Sequence, residues 1–275
     1  MLKQIFRILP SFKGRYRLAR FLFSNFIKNS KDIVVTASQN IKYKLPNLKE
    51  NIGFEIFIDG AYEPEYVEYF FRHIPPNGFF LDLGANIGSI CIPLAKKRPD
   101  ITIIAVEASP RVFGYLKYNI ELNSCQNVLA ENLALSSTDN EQLPFYSPEE
   151  KFGKGSLSAV FTEKAEYVNT ITLDTLLNKY KLNKMDYIKI DVEGYERSVF
   201  EGGKKLLSGK SGPVILFEFA DWAENMAANT KAGDAQRLLS HLGYKLYDFS
   251  NPGKLGMEME PKSEGNLMIL AIKKD

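Results

Sequence analysis

The stretch Phe79–Lys97, FFLDLGANIGSICIPLAKK, runs from an apolar strand through a glycine turn into an amphipathic helix, with Asp82 where the turn begins. This unit predicts the first crossover of an α/β sheet, and the chain after it keeps the same alternation. Strands are expected at ITIIAVEA, NVLAENLALS, VNTITL, MDYIKIDVEG and GPVILFEF, with helices at 88–97, 110–122, after VNTITL, at YERSVFEGGKKLL and around 233–242. Apolar strands separated by amphipathic helices call for a mostly parallel sheet covered on both faces. YKLYDF and NLMILAIKK follow without a helix between them, so they are expected to pair antiparallel at one edge. Ligands of such a sheet sit beyond the carboxyl ends of its strands, where the strand order reverses.

Ahead of Phe79, IVVTA and FEIFI are β-like runs, and YEPEYVEYFFRHI opens a helix with Pro64 in its first turn. Residues 1–30 predict one or two basic amphipathic helices, with Leu2, Ile5, Phe6 and Leu9, then Leu18, Phe21, Leu22 and Phe26 at helical spacing. A basic helical extension over 1–50 is thus expected ahead of a domain over 51–275, a length that suits one large α/β unit. Lys3, Arg7, Lys13, Arg15, Arg17, Arg20, Lys28 and Lys31 are eight of the 35 basic residues, and no acid precedes Asp32. The remainder holds 27 basic and 33 acidic side chains. A short basic arm on an acidic body argues against a nucleic-acid partner, which needs a broad positive face. The arm could lie peripherally on an anionic membrane, or pack on its own domain or a second copy of the chain in a homo-oligomer. Cys91 and Cys125 lack metal-ligand or disulfide spacing and point to reduced core thiols and a cytosolic protein, at most peripheral at the inner face of a membrane. No apolar run approaches the ~20 residues of a membrane span. FLFSNFI is too short for a secretory signal.

The turn after Leu83 does not fit a dinucleotide. Counting from Gly84, the second and third glycines of G-x-G-x-x-G are replaced by Asn86 and Ser89, and Asp82 would set a negative charge toward a diphosphate. S-adenosylmethionine reverses that preference, because it has no phosphate and presents a sulfonium and an ammonium. Asp82 and Asn86 are then expected at the methionine end, Gly84, Ala85 and Gly88 let the backbone pass close, and the helix start near Gly88 and Ser89 offers N–H groups to the carboxylate. Glu107 ends the next strand, 25 residues after Asp82, where an acid takes a ribose diol. Asn132 and Ala134 are placed against the adenine.

In YIKIDVEGYE a buried strand ends in Asp191, Glu193 and Gly194, and PVILFEF ends in Glu218 with Asp221 and Trp222 just beyond. Carboxylates are costly to bury without a task or a partner. Asp191, Glu193 and Glu218 facing a methyl donor suggest either a general base for a hydroxyl or a divalent-cation seat, Mg²⁺ given the hard oxygen ligands. These readings stay open at this level. His73 and His241 fall away from the functional strand ends and are expected to be structural.

FFLDLGANIG, the acid of AVEASP, NLALSS, TLDTLL, YIKIDVEGYE and PVILFE occur in the order and spacing of the FkbM-type S-adenosylmethionine-dependent methyltransferases, which the chain resembles over roughly 55–250. GAYEPE resembles the segment ahead of that family's first strand, which points to Glu63 at the methionine end. EASP carries Ala108 and Ser109 where the family usually has E-P. The resemblance implies a Rossmann-like, mostly parallel seven-stranded sheet with an antiparallel edge strand, and O-methylation of sugar or polyketide hydroxyls. A small-molecule or glycan acceptor follows, its specificity set by a roof from 137–168 and ADWAENMAANTKAG, with Phe145, Tyr146, Phe152 and Trp222 as stacking candidates. The rival is a non-catalytic nucleoside-binding adaptor that uses the basic arm at a membrane or glycan-assembly complex.

Overall fold

The computed structural model describes residues 6–7, 12–159, 162–251 and 254–273. Helices α1 (Arg15–Leu22) and α2 (Ser24–Lys28) lead into a hairpin of β1 (Ile33–Thr36) and β2 (Lys42–Leu45), then α3 (Asn51–Asp59) and α4 (Pro64–His73). The regular alternation follows: β3 (Phe79–Leu83), α5 (Cys91–Lys97), β4 (Thr102–Val106), α6 (Pro110–Leu122), β5 (Val128–Glu131). Next come β6 (Ala134–Leu135), β7 (Gln142–Tyr146), β8 (Ala165–Ile171), α7 (Leu173–Lys179), β9 (Tyr187–Ile190), α8 (Glu196–Gly202) and α9 (Lys204–Ser208). The described chain ends with β10 (Val214–Ala220), α10 (Asp221–Met226), α11 (Asp234–His241), β11 (Tyr244–Asp248), β12 (Glu258–Met259) and β13 (Asn266–Lys273).

The main sheet is Rossmann-like, in the order β5-β4-β3-β9-β10-β13-β11-β12. Neighbours from β5 to β10 are parallel; β13 is antiparallel to both β10 and β11. The expected antiparallel pair is therefore present, but β13 lies inside the sheet rather than at its edge. The two-residue β12 is an eighth strand where seven were expected, too short to leave a periodic signal. Period-two alternation splits the core into two layers: Phe80, Ile103, Leu216 and Leu270 face one way, Leu81, Ile104, Ile188, Phe217 and Ile269 the other. Asp82 and Lys189 are register partners on the Phe80 side.

Three expectations change. FEIFI is helical, not a strand: α3 is capped by Glu50, whose carboxylate accepts from Asn51 N–H at 2.9 Å, and Ile52, Phe54, Ile56, Phe57 and Ile58 are all buried. A short helix covered on nearly every side shows no stripe, so its apolar run mimics a strand. NVLAENLALS is two strands, because β6 leaves the main sheet to pair with β8, and β8 pairs with β7 in a separate three-stranded sheet. The roof segment 137–168 contains most of that second sheet. Leu2, Ile5 and Leu9 lie outside the described residues and Phe6 is buried against Phe23; downstream, Phe26 meets Phe57, but the expected apolar stripe of α1 and α2 as a whole is not buried. Ala19 and Ile27 are buried instead, whereas Phe21 is 76% exposed.

The hairpin is held by side chains that imitate a neighbouring strand. Asn119 of α6, fully buried, accepts from Lys44 N–H at 2.7 Å and donates to Lys44 O at 3.2 Å and Ile87 O at 3.0 Å. One turn later Asn123 accepts from Lys42 N–H at 2.9 Å and donates to Lys42 O at 2.7 Å. Asn119→Ala strands three backbone groups, so it is expected to lower the unfolding free energy by about 2–4 kcal/mol, read from the urea midpoint at unchanged slope.

Candidate active site

A cavity of about 270 Å³ opens at the carboxyl ends of β3, β4, β9 and β10. Its wall includes Tyr62, Glu63, Gly84, Asn86, Glu107, Leu133, Ala134, Lys189, Asp191, Glu193 and Glu218, with Phe145, Phe152 and Lys154 from above. This is the switch point of the sheet, where the chain builds outward to β5 on one side of β3 and to β10 on the other.

The turn after β3 is shaped by contacts no larger residue permits. A Cβ on Gly84 would stand 1.9 Å from Asp191 O, and its φ of 73° is left-handed. Asn86, also left-handed at φ 52°, donates its N–H to Glu107 Oε2 at 2.9 Å and its Nδ2 to Phe152 O at 3.1 Å. Glu107 accepts at its other oxygen from Ser109 N–H, again at 2.9 Å. Asn132 braces this strand end, donating to Glu107 O at 2.8 Å and Ala108 O at 2.9 Å. It therefore positions Glu107 instead of lining the cavity, while Ala134 beside Leu133 and Leu135 does line it.

Asp82 does not line the wall. It is fully buried beneath the floor, 3.8 Å from Lys189 Nζ, and neither oxygen has a hydrogen bond of ordinary geometry, though the Cys91 N–H and thiol adjoin it. Ala85 and Gly88 are likewise outside the wall; a Cβ on Gly88 would stand 2.5 Å from Ile92 Cδ1, so this glycine serves helix packing. Helix α5 begins at Cys91, later than expected, after a series of turns. Lys189 meets the cavity from below, reaching Gly84 O at 3.3 Å and Asp191 Oδ2 at 3.4 Å. Burial works against its charge, but Asp191, Asp82 and Glu63 outweigh that and raise its pKa. Burial also raises Asp82, with Lys189 opposing.

The acids of the second half converge. Asp191, Glu193 and Glu218 each offer an oxygen within 4.8 Å of the others. Glu193 is raised to about 7 by burial and then by Asp191, with Lys154 at 2.8 Å pulling the other way. Glu63 is raised to about 7, mainly by burial. Glu218, which accepts from Asn266 Nδ2 at 3.2 Å, is raised by burial and by Asp191. Glu63 and Glu193 are both left-handed, at φ 44° and 50°. Glutamate has no local bond that favours this conformation, and such strain is held in place at functional sites.

Lys154 and the Phe152 carbonyl had no sequence signal of their own; only their place in a long segment between strands pointed to them. Phe152 is buried, not a free stacking surface, and Asp221 binds Gly265 N–H at 2.8 Å away from the cavity. ADWAENMAANTKAG is partly helical as α10. His73 and His241 lie off the cavity, each on a helix carbonyl.

The donor set suits S-adenosylmethionine: a strand-end carboxylate for a diol, apolar Leu133–Leu135 for a base, and an acidic wall for the cationic end. It also has a cost in pH. Burial raises Glu63, Glu107 and Glu193 from the ordinary 4.5 to about 7, so the fold holds protons that the unfolded chain releases. Their contribution to stability is full below about 4.5 and lost as pH rises through about 7. Carboxylates with lowered pKa, such as Asp100 beside Arg98, have finished titrating by then. The thermal midpoint of the ligand-free protein should therefore fall between about pH 5 and about pH 7.5, and Glu107→Gln should flatten that fall in calorimetry.

The Methyltransferase FkbM domain family matches residues 82–246. Methyltransferase 1 of Beauveria bassiana is 29% identical over 182 residues, 58% of this chain and 70% of that protein. Methyltransferase sdnD of Sordaria araneosa is 30% identical over 178 residues, 54% of this chain and 66% of that protein. Among solved structures, an O-methyltransferase from Bacillus cereus in complex with SAH aligns with a TM-score of 0.44 at 15% identity, covering 76% of this chain and 80% of that one. The family match takes in both halves of the cavity, from Asp82 to beyond Glu218, and more than half of the sequence: the chain belongs to the FkbM methyltransferase family.

Proposed function

We propose that the protein transfers a methyl group from S-adenosylmethionine to a hydroxyl of a carbohydrate or other natural product, with Glu193 as the proton acceptor. The convergence of Asp191, Glu193 and Glu218 beside the strand-end acid Glu107 carries this reading. The cofactor supplies an electrophilic methyl on a sulfonium. Glu107 would hold its ribose, Leu133 to Leu135 its base, and Glu63 and Asn86 its methionine end.

The acceptor side follows from the acids. A useful general base titrates near the working pH, and Glu193, at about 7, does so. Asp191, 39% exposed at its side chain, can accept a hydrogen bond from the acceptor and turn its hydroxyl toward the methyl. Phe145, packed on Ala134, and the segment around Lys154 line the space above. The three-carboxylate cluster also suits a hard cation. Lys154 already sets an ammonium 2.8 Å from Glu193, so the protein provides a positive charge of its own there; the reading favoured is a base without a metal, and transfer is expected to persist in EDTA.

Two measurements test this. Calorimetric titration with S-adenosylhomocysteine should show binding to the wild type and a loss of at least about tenfold for Gly84→Ala, whose methyl would collide with Asp191 O. Failure of the wild type to bind would defeat the proposal. With radioactive S-adenosylmethionine and a panel of glycans, turnover should rise with pH through about 7, the range to which Glu193 is raised. Asp191→Asn should shift that inflection to lower pH and cut turnover by about 10²–10⁴-fold, and Lys154→Met should shift it upward. An inflection that ignores both substitutions removes Glu193 from the base role.

A further inference from the structure

We infer that α1 and α2 form a docking surface for an anionic phospholipid membrane, carried beside the rim of the cavity. On most surface helices the large apolar residues face the core. Here only part of them do: Ala19 and Ile27 are buried and Phe23 packs on Phe57, while Leu18, Phe21, Leu22 and Phe26 are 43%, 76%, 51% and 49% exposed, with Phe12 at 45% just ahead. An exposed apolar cluster ringed by charge marks a contact surface.

The basic residues of this segment divide into two sets. Arg15 and Arg20 seat the helices on the body: Arg15 pairs with Asp59 at 2.5 Å, and Arg20 donates to Asn51 Oδ1 at 2.8 Å with its guanidinium 4.1 Å from the Phe54 ring centre. Lys13, Arg17, Lys28 and Lys31 are exposed and have no ion pair among the described residues. Fixed Phe and Leu side chains amid unpaired cations match a lipid surface with negative headgroups, which takes the rings to the acyl boundary and the ammonium groups to the phosphates. A second copy of the chain fits less well, since a two-fold contact would set the same cationic patch against itself.

Arg20 also fixes the location of this surface. It bonds Asn51 and, at 3.4 Å, Lys49 O, and Glu50, Asn51 and Ile52 are part of the cavity wall. Docking therefore holds that wall close to the lipid, where acceptors carried by the membrane are within reach. This consequence rests on the proposed methyl transfer; the docking itself does not.

The test is sedimentation of the full chain with vesicles of equal parts phosphatidylglycerol and phosphatidylcholine, and with vesicles of phosphatidylcholine alone. The wild type should pellet with the first and stay in solution with the second. Phe21→Ser with Leu22→Ser, and separately Arg17→Glu with Lys28→Glu, should each lower partitioning by about tenfold or more while thermal unfolding is unchanged, as the positions are exposed. A wild type that ignores anionic vesicles overturns the inference, and so do variants that bind as it does. Light scattering that shows a wild-type dimer dissolved by Phe21→Ser with Leu22→Ser would assign the surface to self-association instead. None of these readouts involves methyl transfer, so docking can fail while the cavity reading stands, and the reverse.

Discussion

Between β3 and β9 the sheet buries an ammonium opposite a carboxylate, and the rest of the site is arranged around that pair. Lys189 and Asp82 face each other in register with almost no solvent access, at a spacing of 3.8 Å that leaves Asp82 short of close hydrogen bonds. Such a pair gains little over an apolar packing, but losing one partner leaves the other charged and alone. Lys189 is therefore tied to functions besides stability. It holds the carbonyl of Gly84 from below and reaches Asp191, so that the cofactor turn and the first acid of the second half answer to a single side chain.

That buried cation also explains how so many acids can share one crevice. Glu63, Asp191, Glu193 and Glu218 repel one another in a largely buried cavity, and three of them are shifted toward protonation. Lys189 from the floor and Lys154 from the roof offset part of the repulsion. The result is a surface of negative potential that stops short of full ionisation at neutral pH. Such a surface suits a positively charged ligand, and the proposed base role of Glu193 draws on the same balance.

Much of this was legible in the chain. The βα alternation marked the parallel sheet, and the strand-end acids at 107, 191 and 218 were readable because a buried strand seldom finishes on a charge without reason. Asp82 misled in one respect. Its position in the turn motif was clear, but the alternation of the strand, which sends it under the floor toward Lys189, depends on which strand becomes its neighbour, and that pairing is set by tertiary order. α3 was misread since a helix buried on nearly every side carries no period. The roof contacts of Phe152 and Lys154 escaped for a different reason: they join segments distant in sequence through a backbone carbonyl and a half-buried lysine, neither of which has a pattern.

The asparagine pair at the end of α6 separates where the hairpin sits from what it is made of. Asn119 and Asn123 grip β2 through its backbone at Lys42 and Lys44, and no side chain of the hairpin takes part in those bonds. The family match begins at Asp82, well after the hairpin. The amides thus set where the strand lies without reading its sequence, while Val35, Tyr43 and Leu45, all buried, set which side chains fit beneath it.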